Sequence, residues 1–198
     1  MQFLCIILGS LISAAGTIPY VLETVKGKTK PRIVTWLTWS LLTAIAGFAA
    51  LFDGQPGSAM FALMGTAATG SVVVTGLKYG DRTFTKLDVA CMGIVLAGLV
   101  LWLRLHSPVI AIWAAIVVDF IGFVPTLIHA WQKPHEETMS TFALVGTGGL
   151  ITAGTVISGG SLSVTAVGYP LYVAVSMCAC VAIIRIRKPA QQPAEALN

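Results

Sequence analysis

Charge is what this chain has least of. Asp, Glu, Lys and Arg make up 10% of its 198 residues, against 56% hydrophobic residues, where a water-soluble domain carries roughly 25% charged residues. That balance argues against a soluble globular protein. The four cysteines, Cys5, Cys91, Cys178 and Cys180, all lie inside apolar runs, so neither a disulfide framework nor zinc-ligand spacing is present; they read as packing residues. No nucleophile is paired with a base, and there are no paired carboxylates and no metal-ligand cluster, so the expectation is a protein that is not an enzyme and holds no cofactor. The net charge of +4 lies in short loops and at helix ends, not on a folded polar face, which argues against nucleic acid as a partner. No Lys or Arg precedes Lys26. The first apolar run therefore lacks the basic start and small-residue cleavage site of a secretory signal, and is expected to remain as a helix.

What the chain does have is long apolar runs. Apolar stretches and breakers predict spans over Phe3 to Leu22, Ile33 to Phe52, Ser58 to Leu77, Leu87 to Leu105, Pro108 to Trp131, Met139 to Ile157 and Ser163 to Ile184, each of about 20 residues, the length that crosses a bilayer. Turn formers separate them, as in Asp53-Gly54-Gln55-Pro56-Gly57 and Ser158-Gly159-Gly160. With the N-terminus outside, Lys26, Lys28, Lys30, Arg32, Lys78, Arg82, Lys86, Lys133, Arg185, Arg187 and Lys188 all fall on the cytoplasmic side and only Arg104 falls outside. This asymmetry predicts seven spans in a multi-pass protein of the cell membrane, N-terminus out and C-terminus in, with basic loops facing anionic lipid on the cytoplasmic face. The polar tail, 187–198, is expected to be a disordered cytoplasmic extension.

A repeat underlies the spans. Gly16-Thr17-Ile18-Pro19 overlies Gly122-Phe123-Val124-Pro125, and the same offset pairs Thr35 with Thr141, Trp36 with Phe142, Ile45 with Ile151 and Gly54 with Gly160. A three-helix unit is odd in number, so a second copy enters the membrane in the same direction only if one extra helix separates the two. The predicted fold class is therefore an all-α membrane protein with seven transmembrane helices as two parallel three-helix repeats joined by a linker helix (3+1+3): residues 1–78, a linker region 79–106, and residues 107–186.

With these landmarks the chain resembles the SWEET and PQ-loop (MtN3-like) family of seven-helix transporters, whose signature proline in helices one and five is matched by Pro19 and Pro125. Lys28-Thr29 and Thr35-Trp36, and in the second copy Thr138-Met139-Ser140-Thr141-Phe142, are similar to the family's hydroxyl-and-aromatic pattern at the start of helices two and six. The glutamine after the signature proline is replaced by Tyr20 and Thr126. The asparagines that the family's sugar carriers place in helices three and seven have no counterpart, because the only asparagine is Asn198 in the tail.

Pro19 and Pro125 each remove an intrahelical donor and crowd the preceding turn, so they read either as hinges or as fixed kinks. Asp119 is the one acid deep within a span. An acid there must face the bundle interior or water, which makes it a candidate for proton coupling or for a neutral hydrogen bond between helices; Ser13 stands at its place in the first copy. Trp36 reads as an interfacial belt, packing or pocket residue. Trp39, about 10 Å deeper than Arg32, reads as packing or, with Trp36 and Phe142, as the wall of a pocket whose flat faces accept a sugar or a heterocycle. Thr35, Ser40, Thr66, Thr69, Thr141, Tyr172 and Ser176 supply the remaining hydroxyls, for substrate or for neighbouring backbone. No Lys or Arg lies at mid-membrane depth, so neutral or cationic cargo is preferred to anionic.

The expected function is alternating-access transport of a small neutral polar solute, sugar-like or similar, either facilitative or proton-coupled. The alternatives are a nicotinamide riboside or other vitamin transporter, whose family shares the 3+1+3 layout, and a non-transporting seven-helix receptor. An opsin-type photoreceptor is disfavoured by the lack of a lysine in the seventh span. Homo-oligomer formation is compatible with all of these.

Overall fold

The computed structural model describes residues 1–27, 31, 33–80, 86–105, 107–132, 134 and 139–195. Lys28, Thr29, Lys30, Arg32, Arg82, Lys133 and Thr138 therefore lie outside the described residues. Every regular element among the described residues is helical: α1 (Gln2–Ala15), α2 (Ile18–Val25), α3 (Ile33–Phe52), α4 (Pro56–Tyr79), α5 (Lys86–Leu105), α6 (Pro108–Gln132), α7 (Met139–Ser158), a π-helical turn (Val164–Gly168) and α8 (Tyr169–Glu195). Six helices are long and apolar enough to cross a membrane, α1 and α2 counting together as one and the π turn leading into α8. Their outer faces are apolar as well: Phe3, Leu4, Val74 and Val175 are among many large side chains left exposed, a surface that suits hydrocarbon better than water. The chain has the build of a multi-pass membrane protein. α8 continues as helix to Glu195, through most of the stretch expected to be a disordered tail.

The six helices close into a ring. Around it, α1 packs on α4, α4 on α3, α3 on α6, α6 on α8, α8 on α7, and α7 returns to α1. α5 stands outside this ring, against α6 and α3. A shift of 106 residues carries Ile33–Phe52 onto Met139–Ser158, end to end. The same shift carries the order of neighbours onto itself.

Helix ends repeat this relation in atomic detail. Gly54 and Gly160 both take a left-handed backbone, at φ 71° and 86°, which glycine reaches without strain. After α3, the Gln55 N–H donates to the Ala50 carbonyl and Gly54 N–H to Leu51; after α7, Ser161 N–H donates to Val156 and Gly160 N–H to Ile157. These are two copies of the Schellman cap. The residues next in line meet each other, Ser161 Oγ lying 3.4 Å from Gln55 Oε1. The Thr165 hydroxyl donates to the Asp53 carboxylate beside them.

The two prolines differ. Pro19 cannot donate to the Ala15 carbonyl, and the chain breaks there into α1 and α2, with the Thr17 N–H turned to the Ala14 carbonyl at 3.1 Å. α6 passes through position 125 as one continuous helix. At its end Arg187 stacks over Trp131, 4.6 Å from the ring centre, and its Nε donates to the Trp131 carbonyl at 3.1 Å. That contact ties the last turn of α6 to α8.

Candidate functional site

A cavity of about 120 Å³ lies inside the ring, many times the roughly 10–15 Å³ that admits one water. All six ring positions contribute to its wall: Ser13 and Ala14 from α1, with Thr17 from the break after it; Trp36, Trp39 and Thr43 from α3; Phe61, Ala62, Gly65, Ala68 and Thr69 from α4; Asp119 from α6; Thr141, Phe142 and Val145 from α7; and Tyr169, Val173 and Met177 from α8. No described residue of α5 is among them. Three pairs of lining positions are related by the 106-residue shift: Ser13 with Asp119, Trp36 with Phe142, and Trp39 with Val145. Positions related by the shift therefore meet at one cavity.

Aromatic rings make much of the wall. Trp36 and Trp39, one turn apart on α3, meet edge to face with centroids 5.1 Å apart, and Tyr20 leans on Trp36 at 4.7 Å. Across the ring Phe142 meets Phe123 at 6.5 Å and Tyr169 meets Tyr172 at 6.3 Å. Such contacts hold the rings against one another.

Three of the six hydroxyls among the described lining residues donate to backbone carbonyls. Thr17 donates to the Ala14 carbonyl at 2.8 Å, Thr43 to Trp39 at 2.9 Å and Thr69 to Gly65 at 2.9 Å, each bond holding the side chain to its own helix. Thr141 differs: its Oγ1 is buried and has no hydrogen-bond partner among the described residues. Asp119 is 8% exposed and accepts a 2.5 Å hydrogen bond from the Tyr172 hydroxyl. Neither Lys, Arg nor His is among the described lining residues.

Of the residues singled out in the sequence, Trp36, Trp39, Thr69, Asp119, Thr141 and Phe142 converge on the cavity. Thr66 and Tyr172 stand one layer behind it, at positions related by the shift. Each gives its hydroxyl to a lining side chain on the neighbouring helix, Thr66 to Thr43 at 3.0 Å and Tyr172 to Asp119. Ser176 is buried with its hydroxyl on the Val173 carbonyl, Ser40 reaches the Thr66 carbonyl at 3.4 Å, and Thr35 is outside the lining. Pro19 is also outside it, and the Pro125 side chain lies outside the described residues.

Sequence reasoning missed Ser13, Thr17, Thr43, Phe61, Tyr169 and Met177 as wall residues. Helical spacing carried the signal for several of them: Thr43 continues the face of Trp36 and Trp39, and Phe61, Gly65 and Thr69 share one face, as do Tyr169, Val173 and Met177. No family model, curated protein or solved structure matches this chain.

Proposed function

We propose that the protein is a small-solute transporter of the SWEET and PQ-loop type, built as two parallel three-helix repeats with α5 as the linker helix. One observation carries this reading: a cavity walled by all six helices of a closed ring, with positions related by the 106-residue shift among its lining. A site shared by two equivalent halves can be exposed to either side by rocking one half against the other. The order of neighbours supports the repeat, since α4 lies between α1 and α3 as α8 lies between α6 and α7. The matched caps at Gly54 and Gly160 support it independently.

In this reading the chain lies in the cell membrane with its N-terminus outside and its basic loops toward anionic lipid. It carries no catalytic chemistry. The solute is small, polar and neutral or cationic, because no basic group in the wall offers a counter-charge to an anion. The break before Pro19 serves as a hinge, and Asp119, the acid within the wall, couples movement to protons. Aromatic faces without a lining asparagine also favour a heterocyclic solute, such as a vitamin, over a sugar.

The test is uptake into proteoliposomes of labelled sugars, vitamins and quaternary amines, with and without an imposed pH gradient. Saturable flux of one class is expected, with Asp119→Asn losing its response to the gradient. Binding without flux would replace the transporter by a receptor.

A further inference from the structure

The wall of the cavity is chemically one-sided. On the α3 side stand the rings of Trp36 and Trp39, with Phe142 across from them; on the α6 side stands Asp119, the one carboxylate among the described lining residues, with Tyr172 behind it. The shift places Ser13 where a second acid would have made the site symmetric. We infer that the solute is a small organic monocation of the quaternary ammonium or pyridinium type, held with its charge between Asp119 and the aromatic faces. This deepens the transport reading by naming its substrate class.

Three features select that class. An aromatic face attracts a cation through its quadrupole, and the attraction grows when water is excluded; a carboxylate in the same enclosure adds an opposite charge without a competing lysine or arginine. Secondly, a primary ammonium carries three donors that need acceptors, and a wall that is mostly ring and methyl surface offers few of them. A cation whose charge is covered by methyl groups or spread over a ring asks for fewer. A metal ion is disfavoured for the same reason, since it needs several oxygen ligands. Thirdly, the unpartnered Thr141 hydroxyl provides one further polar contact on the α7 side, suited to a single hydroxyl or carbonyl elsewhere on the solute. With no basic residue in the wall to accompany a phosphate, the cation is a free solute and not a lipid headgroup.

Calorimetric titration of the full-length protein in phosphatidylglycerol nanodiscs tests this with a pair that differs in charge alone, choline and its neutral isostere 3,3-dimethylbutan-1-ol, with glucose as a third probe. Choline is expected to bind about tenfold or more tightly than the isostere. Asp119→Asn should erase that difference, with its thermal unfolding compared with that of the wild type to report that the variant is folded. Trp39→Leu should weaken choline about fivefold or more while retaining its preference over the isostere. Equal affinity for the two probes, preference for glucose, or no choline binding at millimolar concentration overturns the assignment, and the wild-type comparison needs no variant to do so. Choline bound but not carried into liposomes sinks the transport reading and leaves this one standing. Flux of glucose without any preference for the cation does the reverse.

Discussion

α3 and α7 hold equivalent places in the ring, yet they are packed by different means. α7 presents Gly146, Gly148 and Gly149, and a Cβ added to Gly148 would collide with the Gly9 carbonyl of α1, while one on Gly149 would lie 2.9 Å from the Pro170 carbonyl. The backbones of α1, α7 and α8 therefore touch. At the corresponding positions α3 has Ser40, Leu42 and Thr43: Leu42, 1% exposed, packs in a cluster with Ala111, Ala115 and Val118 of α6, and Thr43 takes the Thr66 hydroxyl. In a bilayer, where apolar side chains gain little by leaving lipid, close backbone contact and hydroxyl bonds are the two available sources of helix affinity. One seam uses the first and the other uses the second. The same difference decides who lines the cavity, since Thr43 reaches it and Gly149 has no side chain to do so.

The contrast is most severely tested at Gly148. Gly148→Leu is expected to destabilise by about 3 kcal/mol or more, because the obstacle is backbone and cannot rotate away; thermal unfolding in detergent that moved by less than a few degrees would break the distinction between the seams. At the equivalent position Leu42→Ala should cost about 2–3 kcal/mol through the cavity it leaves, whereas Leu42→Met should cost about 1 kcal/mol. The two prolines form the next pair. Pro19→Ala should slow flux on the order of tenfold if the break after α1 is a hinge, and Pro125→Ala should change it little, since α6 is already continuous; equal effects would remove the distinction. Loss of the Thr66 hydroxyl in Thr66→Val should cost about 0.6–1 kcal/mol, read as a shift in unfolding temperature. Smallest of all is the difference between Gly54→Ala and Gly160→Ala: each should cost about 1 kcal/mol for the left-handed backbone, with open space around both. A large inequality would show that the two caps are not equivalent.

Much of the architecture was legible before any coordinates. Apolar run lengths placed the ends of α3 and α7 within a residue, because a helix that avoids water must begin and end where polar turn residues do. Gly54 and Gly160 were paired by spacing alone, and the backbone of both is left-handed. The site was less legible. Thr141 was a candidate while Thr35, its counterpart, lies outside the lining, and Trp39 is matched by Val145; a low-identity repeat tells which positions correspond, not which side of a helix meets the cavity.

The sequence by itself determined that this is a helical chain suited to a bilayer, with apolar segments set apart by turn residues, since hydropathy and turn chemistry are local properties. Tertiary structure alone decided that these segments close into a ring, that Tyr172 approaches Asp119, and that Thr141 is left without a partner beside the cavity. Each of those depends on how helices rotate about their axes against one another, and that rotation is set by the packing of small residues across seams between segments far apart in the chain.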